Sequence, residues 1–269
     1  MGDAGTRCRG TKLRPVSPAE SLGGTAARAR AWHHARHASI CDVLEPWAHG
    51  TVVRATDYPN YYDYNLVRVE DEPGMSGETL AAFADEALAG LAHRRLDFDL
   101  IAAAAPLRQT FEASGWEAMR VVFMRHEAQS GPGGAAVGEE VPYDLVHDLR
   151  IAWHLEHPYG EDPAPLHAQA REVALRRGVR ILAVKDRDRP VAFAQLEHEV
   201  ASAEITQVYV HPDHLGRGLG AALTRAAIEA AGSVKDLWIA ADDEGRAKDV
   251  YVRLGFRPAW TTMEFERSL

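Results

Sequence analysis

Val208-Tyr209-Val210-His211-Pro212-Asp213-His214-Leu215-Gly216-Arg217-Gly218-Leu219-Gly220-Ala221 is the stretch on which the fold turns. A β-rich run ends, a loop follows, and three alternate glycines open a helix. The apolar residues Leu219, Leu223, Ala226, Ala227 and Ala230 recur there at spacings of three and four, which predicts one buried face over 219–231. Glycines bring bare N–H groups close to a ligand, and a helix N-terminus adds partial positive charge. The segment therefore suits an anion such as a phosphate. It equally suits a tight strand–helix turn that binds nothing.

Two phosphate-binding motifs fit poorly. A P-loop needs Lys-Ser or Lys-Thr after its glycines, and neither is present. A dinucleotide fingerprint matches at Gly216, Gly218 and Ala221, with Asp242 beyond. That turn, however, follows its strand at once, whereas His211–Leu215 intervene here. The strands upstream, 191–199 and 204–210, read as an antiparallel hairpin rather than the start of a βαβ unit.

Around this core the second half reads as helices at 144–157 and 165–177, a strand at 179–184, the hairpin, the glycine-led helix, a strand at 236–241, a helix at 247–254 and a strand at 261–266. The first half reads as strands at 51–55, 64–70, 96–101 and 118–125, with helices at 76–91 (Ser76 as N-cap) and 106–113. Between them Ser130–Gly138, rich in Gly and Pro, reads as a linker. Residues 1–30, with Pro15, Pro18 and little apolar content, read as a disordered arm. The expected domains are 31–129 and 139–269. They share an ending at an offset of 140 residues: Phe111-Glu112-Ala113-Ser114-Gly115-Trp116 parallels Tyr251-Val252-Arg253-Leu254-Gly255-Phe256.

The chain has 269 residues, 46% hydrophobic and 26% charged, which suits two ordinary globular domains. It has no apolar run of about 18 residues and no apolar core of a secretory signal near residue 1, so no membrane span and a cytoplasmic location are expected. Cys8 and Cys41 make neither a disulfide framework nor a CxxC metal site. A net charge of −9 argues against a chain built to grip nucleic-acid phosphates.

The segment resembles motif A of the GNAT superfamily of acyl-CoA-dependent N-acetyltransferases, whose loop reads Q/R-x-x-G-x-G/A. Leu215-Gly216-Arg217-Gly218-Leu219-Gly220 matches at both glycines and departs at Leu215. Tyr251-Val252-Arg253-Leu254-Gly255-Phe256 resembles the family's Y-x-x-L-G-F. The resemblance covers about 145–269, and the first half more faintly. It implies an α+β fold of two tandem GNAT-like domains, each a mixed, mainly antiparallel sheet flanked by helices, with the second half catalytic.

The resemblance also implies acetyl-CoA as co-substrate, no metal, and a small-molecule or peptide amine as acceptor, in a monomer or homodimer. Backbone groups of Val208, Tyr209 and Val210 would bond the pantetheine arm, one N–H holding the thioester oxygen. The loop from Leu215 through Gly216, Arg217, Gly218, Leu219, Gly220 and Ala221 would take the pyrophosphate. Tyr251 corresponds to the general acid that protonates the leaving thiolate, and Glu204 lies where many members place a base. A base has work to do, because deprotonating a lysine-like amine at pH 7 costs about 4.6 kcal/mol. A structural tyrosine and a solvated hairpin carboxylate are the alternative readings of these two residues. In the first half Phe111 stands in the place of Tyr251, and Pro73–Glu78 carries no comparable glycine loop, so that half reads as a copy without a catalytic site. Glu244, where relatives often carry Asn, lies in an acidic stretch that either lines the acceptor site and favours a cationic amine or is a solvated loop, the preferred reading. Among thirteen histidines, His33, His34 and His37 share one helix and His154 and His157 another, without a metal motif. The tyrosines of 58–64 could stack on a substrate or form a packed strand edge, and the packed edge is the preferred reading. A non-catalytic acyl-CoA-binding or interaction module remains the competing function.

Overall fold

The computed structural model describes residues 24–127, 134–156 and 163–269. All of its strands join one sheet. In chain order they are β1 (Val43–Trp47), β2 (Gly50–Arg54), β3 (Leu66–Val69), β4 (His93–Phe98), β5 (Glu117–His126), β6 (Glu139–Val141), β7 (Arg180–Asp186), β8 (Arg189–His198), β9 (Ser202–Val210), β10 (Asp236–Asp242) and β11 (Phe256–Ser268). They lie side by side as β1-β2-β3-β4-β11-β5-β10-β9-β8-β7-β6. The helices are α1 (Gly24–Ile40), α2 (Gly77–Ala87), α3 (Ile101–Ala104), α4 (Arg108–Ala113), α5 (His147–Leu155), α6 (Ala164–Arg176), α7 (Leu219–Ala231) and α8 (Ala247–Arg253).

The order has an internal symmetry centred between β11 and β5. Moving outward from that line, β4 and β10 are each antiparallel to their inner neighbour, and each runs parallel to the next strand out, β3 or β9. The hairpins β1–β2–β3 and β7–β8–β9 then extend either side. The last strand of each half has crossed into the other: β5 lies between β10 and β11, and β11 between β4 and β5. The pair Glu117↔Glu266 maps under the 140-residue offset onto Arg257 and His126, which the structure pairs one residue out of step. The slip lies at the bulge between Pro258 and Trp260. One sheet joins both sides of this order in space.

Strands covered on both faces lose the alternation of a half-exposed strand. In β8 the residues from Val191 to Glu197 are all buried. Leu182, Ala194, Leu223, Ile239, Tyr251 and Phe256 form the core beneath α7 and α8, while Leu80, Phe98, Phe111 and Phe265 form the equivalent core beneath α2 and α4. On the other face α5 and α6 cover Ile181, Ala183 and Phe193, and α1 covers Phe123, Trp238 and Trp260.

Helix α1 corrects the reading of residues 1–30 as an arm. From Gly24 onward the chain is helical, Ala29 is fully buried, and Arg28 Nε donates to Asp236 at 2.8 Å. Its buried stripe is Ala29, Trp32, His33, His37 and Ile40, the spacing of a packed helix carried by unusual residue types. The arm's remainder, residues 1–23, and part of the 130–138 linker lie outside the described residues. Ser76 is an N-cap, its Oγ accepting from the Thr79 N–H at 3.3 Å. The helix read at 106–113 is shorter, α4 starting at Arg108 after a 3-10 turn. The last strand is longer than 261–266, because bulged β11 reaches from Phe256 to Ser268.

Candidate active site

The parallel ladder between β9 and β10 stops early. It holds from Ser202↔Asp236 to Ile205↔Ile239, after which the two strands part. Beyond that point β9 stays paired to β8 through Tyr209↔Phe193 and Val210↔Ala192, and β10 to β5 through Ala240↔Phe123 and Ala241↔Val122. The backbone edges of Thr206–Val210 and Ala240–Asp242 that face each other are left open. The parting coincides with a bulge in β9, where Gln207 takes the left-handed conformation (φ 49°) and the register against β8 shifts. The first half has no such opening. There β3 and β4 pair to Val69↔Phe98, and the Asp99 N–H still reaches the Val69 carbonyl at 2.9 Å.

The glycine loop lies at the end of β9. Gly216 and Gly218 have φ of 75° and 74°, in the left-handed region that favours glycine, and a Cβ on either would meet nothing within 4 Å. Gly218 caps α7 without any side-chain hydrogen bond. Ala222 N–H is bonded to the Gly218 carbonyl, and the amides from Gly216 through Ala221 find no acceptor among the described residues. Leu215 is exposed, and Arg217 folds back on its own loop, Nη2 donating to the Asp213 carbonyl at 3.3 Å. Free amides, a helix N-terminus, two Cβ-free positions and no carboxylate on Arg217 fit a pyrophosphate. Gly220 differs from the other two, since it is helical and a Cβ there would meet Val210 Cγ2 at 3.7 Å. The contrast with α2 is sharp, because its N-terminus is closed by the Ser76 side chain and carries Glu78 in its first turn.

A cavity of about 630 Å³ lies where the strands part, on the face that α1, α5 and α6 cover. Val208, Ala241 and Tyr251 line it from the second half, and Tyr61, Tyr62 and Asp63 from the first. Tyr251 is 7% exposed, and burial pushes its phenol up to about 12, so it keeps its proton at neutral pH. Phe111, in the equivalent place, stacks on Phe265 with centroids 4.3 Å apart and is sealed in the core.

Glu204 also lines the cavity and is 1% exposed, so its reading as a solvated hairpin charge does not hold. Trp32 Nε1 donates to its Oε2 at 2.6 Å, and Arg36 Nη1 is 3.5 Å from the same atom. Burial raises the carboxyl's pKa, and Arg36 opposes the rise. Tyr209 is turned away, its hydroxyl donating to Glu156 at 2.5 Å. Glu244 is exposed and takes a two-pronged bond from Arg108, at 2.8 and 3.2 Å. Trp32, Arg36, Arg150 and the tyrosine loop were not among the expected site residues. The cluster of tyrosines at 58–64 was a usable signal, and Tyr62 reaches the cavity while Tyr58 stays in the core.

His34 Nε2 and carboxylate oxygens of Glu70 and Asp99 lie within 4.8 Å of one another, a spacing that could hold a metal ion. Arg30 already supplies the cation, with Nε 2.7 Å from Asp99 and Nη2 3.5 Å from Glu70.

One wall of the cavity concentrates acid. Arg95 holds Asp97 at 2.8 Å, Asp63 and Glu264 at 2.9 Å and Glu266 at 3.4 Å. One guanidinium does not balance four carboxylates, and burial pushes Glu264 up to about 8 and Glu266 up to about 7. The ordinary glutamate value in an unfolded chain is about 4.3. Between those values the folded state holds more protons than the unfolded one, so stability falls as pH rises. Buried His33 and His37, whose pKa values are lowered, act in the opposite sense below about 6.5, the ordinary histidine value. The clean window is therefore pH 7 to 9. Scanning calorimetry should show Tm dropping across it, and Glu264→Gln should flatten the drop. A Tm that holds level would mean that the carboxylates are already ionised at pH 7.

Among known proteins, residues 144–256 match the acetyltransferase (GNAT) family. An uncharacterized N-acetyltransferase of Methanocaldococcus jannaschii is 43% identical over 58 residues, a match spanning 20% of this chain and 25% of that protein. A functionally unknown conserved protein from Staphylococcus epidermidis superposes with a TM-score of 0.65 at 14% identity, covering 85% of this chain and 94% of its own. A GCN5-related N-acetyltransferase from Kribbella flavida gives 0.51 at 17% identity, over 91% and 96%. These structures speak for the fold, a mainly antiparallel sheet flanked by helices. Among the described residues no helix is long and apolar enough to cross a membrane. Residues 144–256, which carry the glycine-led helix and the parted strands, form a domain of the acetyltransferase (GNAT) family.

Proposed function

We propose that the chain moves an acetyl group from acetyl-CoA to a primary amine, by direct attack with both substrates bound. The observation that carries this reading is the gap between β9 and β10, which runs from unpaired amides at α7 to a cavity bearing Tyr251 and Glu204. The amides of Gly216–Ala221 would hold the pyrophosphate. The open edge of Val208–Val210 would bond the pantetheine arm and present an N–H to the thioester oxygen. Acetyl-CoA supplies the activated acyl group.

The residues of the chain then have proton work to do. Glu204, its pKa raised by burial, takes a proton from the incoming ammonium, directly or through water. As the C–N bond forms and the C–S bond breaks, Tyr251 gives its proton to the departing sulfur. The proton shed by the nitrogen returns to Tyr251 through solvent. The first half, a second GNAT-like unit without a glycine loop or an opened strand pair, serves as scaffold and as a wall of the acceptor cavity.

The test is release of CoA thiol from acetyl-CoA with a panel of primary amines. Amine-dependent release is the expected result. Saturable CoA binding without release from any amine would instead favour a non-catalytic acyl-CoA-binding module.

A further inference from the structure

Arg150, on α5, lines the cavity and is 3% exposed. Burying a guanidinium is costly unless an anion accompanies it. The other buried arginines obey this rule: Arg68 has Glu70 at 2.9 Å, Arg94 has Asp85 at 2.9 Å and Arg95 has Asp97 at 2.8 Å. Arg150 has no carboxylate partner among the described residues. Its hydrogen bonds go to two amide oxygens, Nη1 to Gln207 Oε1 and Nη2 to Gln195 Oε1, the latter at 3.0 Å. Its Nε has no acceptor. Tyr143 and Phe193 lie against the guanidinium, with ring centroids 4.2 and 4.6 Å from Cζ, and fix its plane.

A positive charge is thus held rigid in the wall of the cavity, beside the bulge of β9, without a carboxylate counterion among the described residues. An arginine carries five N–H donors in a planar fork, and the two glutamines engage only part of it. The same cavity carries Glu204 and Asp242, whose carboxylates suit an ammonium group. We propose that the acceptor carries a carboxylate as well as its amine, with Arg150 pairing with that carboxylate, and that the substrate class is therefore free amino acids. The proposal rests on the acetyl-transfer reading of this cavity. A guanidinium fork can take a carboxylate through two parallel N–H bonds.

The experiment is calorimetric titration with matched pairs, each an L-amino acid and its neutral carboxamide, alongside 2-aminoethylphosphonate. At least one acid should bind about 30-fold or more tightly than its amide, the scale of a buried charge pair left without one partner. In Arg150→Met the ratio should fall to about one, and Arg150→Lys, which keeps charge without the fork, should lie between. Equal binding of acid and amide in every pair, no binding of any acid, preference for the phosphonate, or an undiminished ratio in Arg150→Met would overturn the proposal. The comparison on the unaltered protein needs no variant to fold. Thiol release measured on the same panel separates the two claims. Acid preference without release would sink the acetyl-transfer reading and leave the carboxylate site standing, whereas release from amides as readily as from acids would do the reverse.

Discussion

Tyr251→Phe should lower kcat by one to a few powers of ten while leaving acetyl-CoA affinity nearly unchanged. The general-acid range of about 10²–10⁴-fold is the upper guide. The ring is mostly buried against a core that includes Leu254 and Phe256, and that packing survives loss of the hydroxyl. What disappears is the proton that burial keeps on the phenol at neutral pH. The mirror substitution, Phe111→Tyr, should confer nothing. Phe111 is clamped between Phe265 and Trp116 and faces no open strand pair. Steady-state kinetics and calorimetry on both variants check the pair. Full activity in Tyr251→Phe would assign the acid to water or another group.

Gly218→Val should weaken CoA binding by at least about a hundredfold, close to the limit of detection. Two effects act together. A left-handed φ of 74° costs a non-glycine residue roughly 1–2 kcal/mol. The new side chain would also stand over the amides at the start of α7. Because a Cβ at 218 meets no protein atom within 4 Å, the fold itself has room for it, and Tm should fall by only a few degrees. Gly220→Val should weaken binding too, by a different route, since a helical β-branched residue screens the first turn without backbone strain. Unchanged affinity in both folded variants would remove this loop from the cofactor site.

Helix α7 was legible because Leu223, Ala226 and Ala227, with Leu219 half-buried beside them, carry its inner face in ordinary apolar residues between two glycines. Helix α1 was legible only around His33, His34 and His37; its start at Gly24 was missed, because its buried stripe is built from Ala29, Trp32 and two histidines among arginines and shows no hydropathy period. Strand β1 hides behind Pro46, which an edge strand tolerates. The start of β11 was lost because Arg257 and Pro258 break the pattern at its bulge.

The site divides in the same way. The glycine loop and Tyr251 are local motifs, readable within a few residues. The Trp32–Glu204 and Arg150–Gln207 contacts join residues far apart in sequence, and nothing in Gln207 itself announces a positive φ. Such contacts depend on how α1 and α5 pack on the sheet.

The exchanged strands set a timetable for synthesis. Emerging from the ribosome, the first half can pair β1 to β4, but β5 has no neighbour until residues far downstream arrive, and β4 keeps an open flank. Only when Phe256–Ser268 is made can β11 slide between β4 and β5 and close both gaps at once. Pairings of such long sequence separation form late and slowly, and an unpaired strand edge is adhesive while it waits. Late in its elongation the nascent protein therefore passes through a stage of two unfinished sheets and becomes a single body almost in one step, a burden for chaperones that two independently closing domains would not impose.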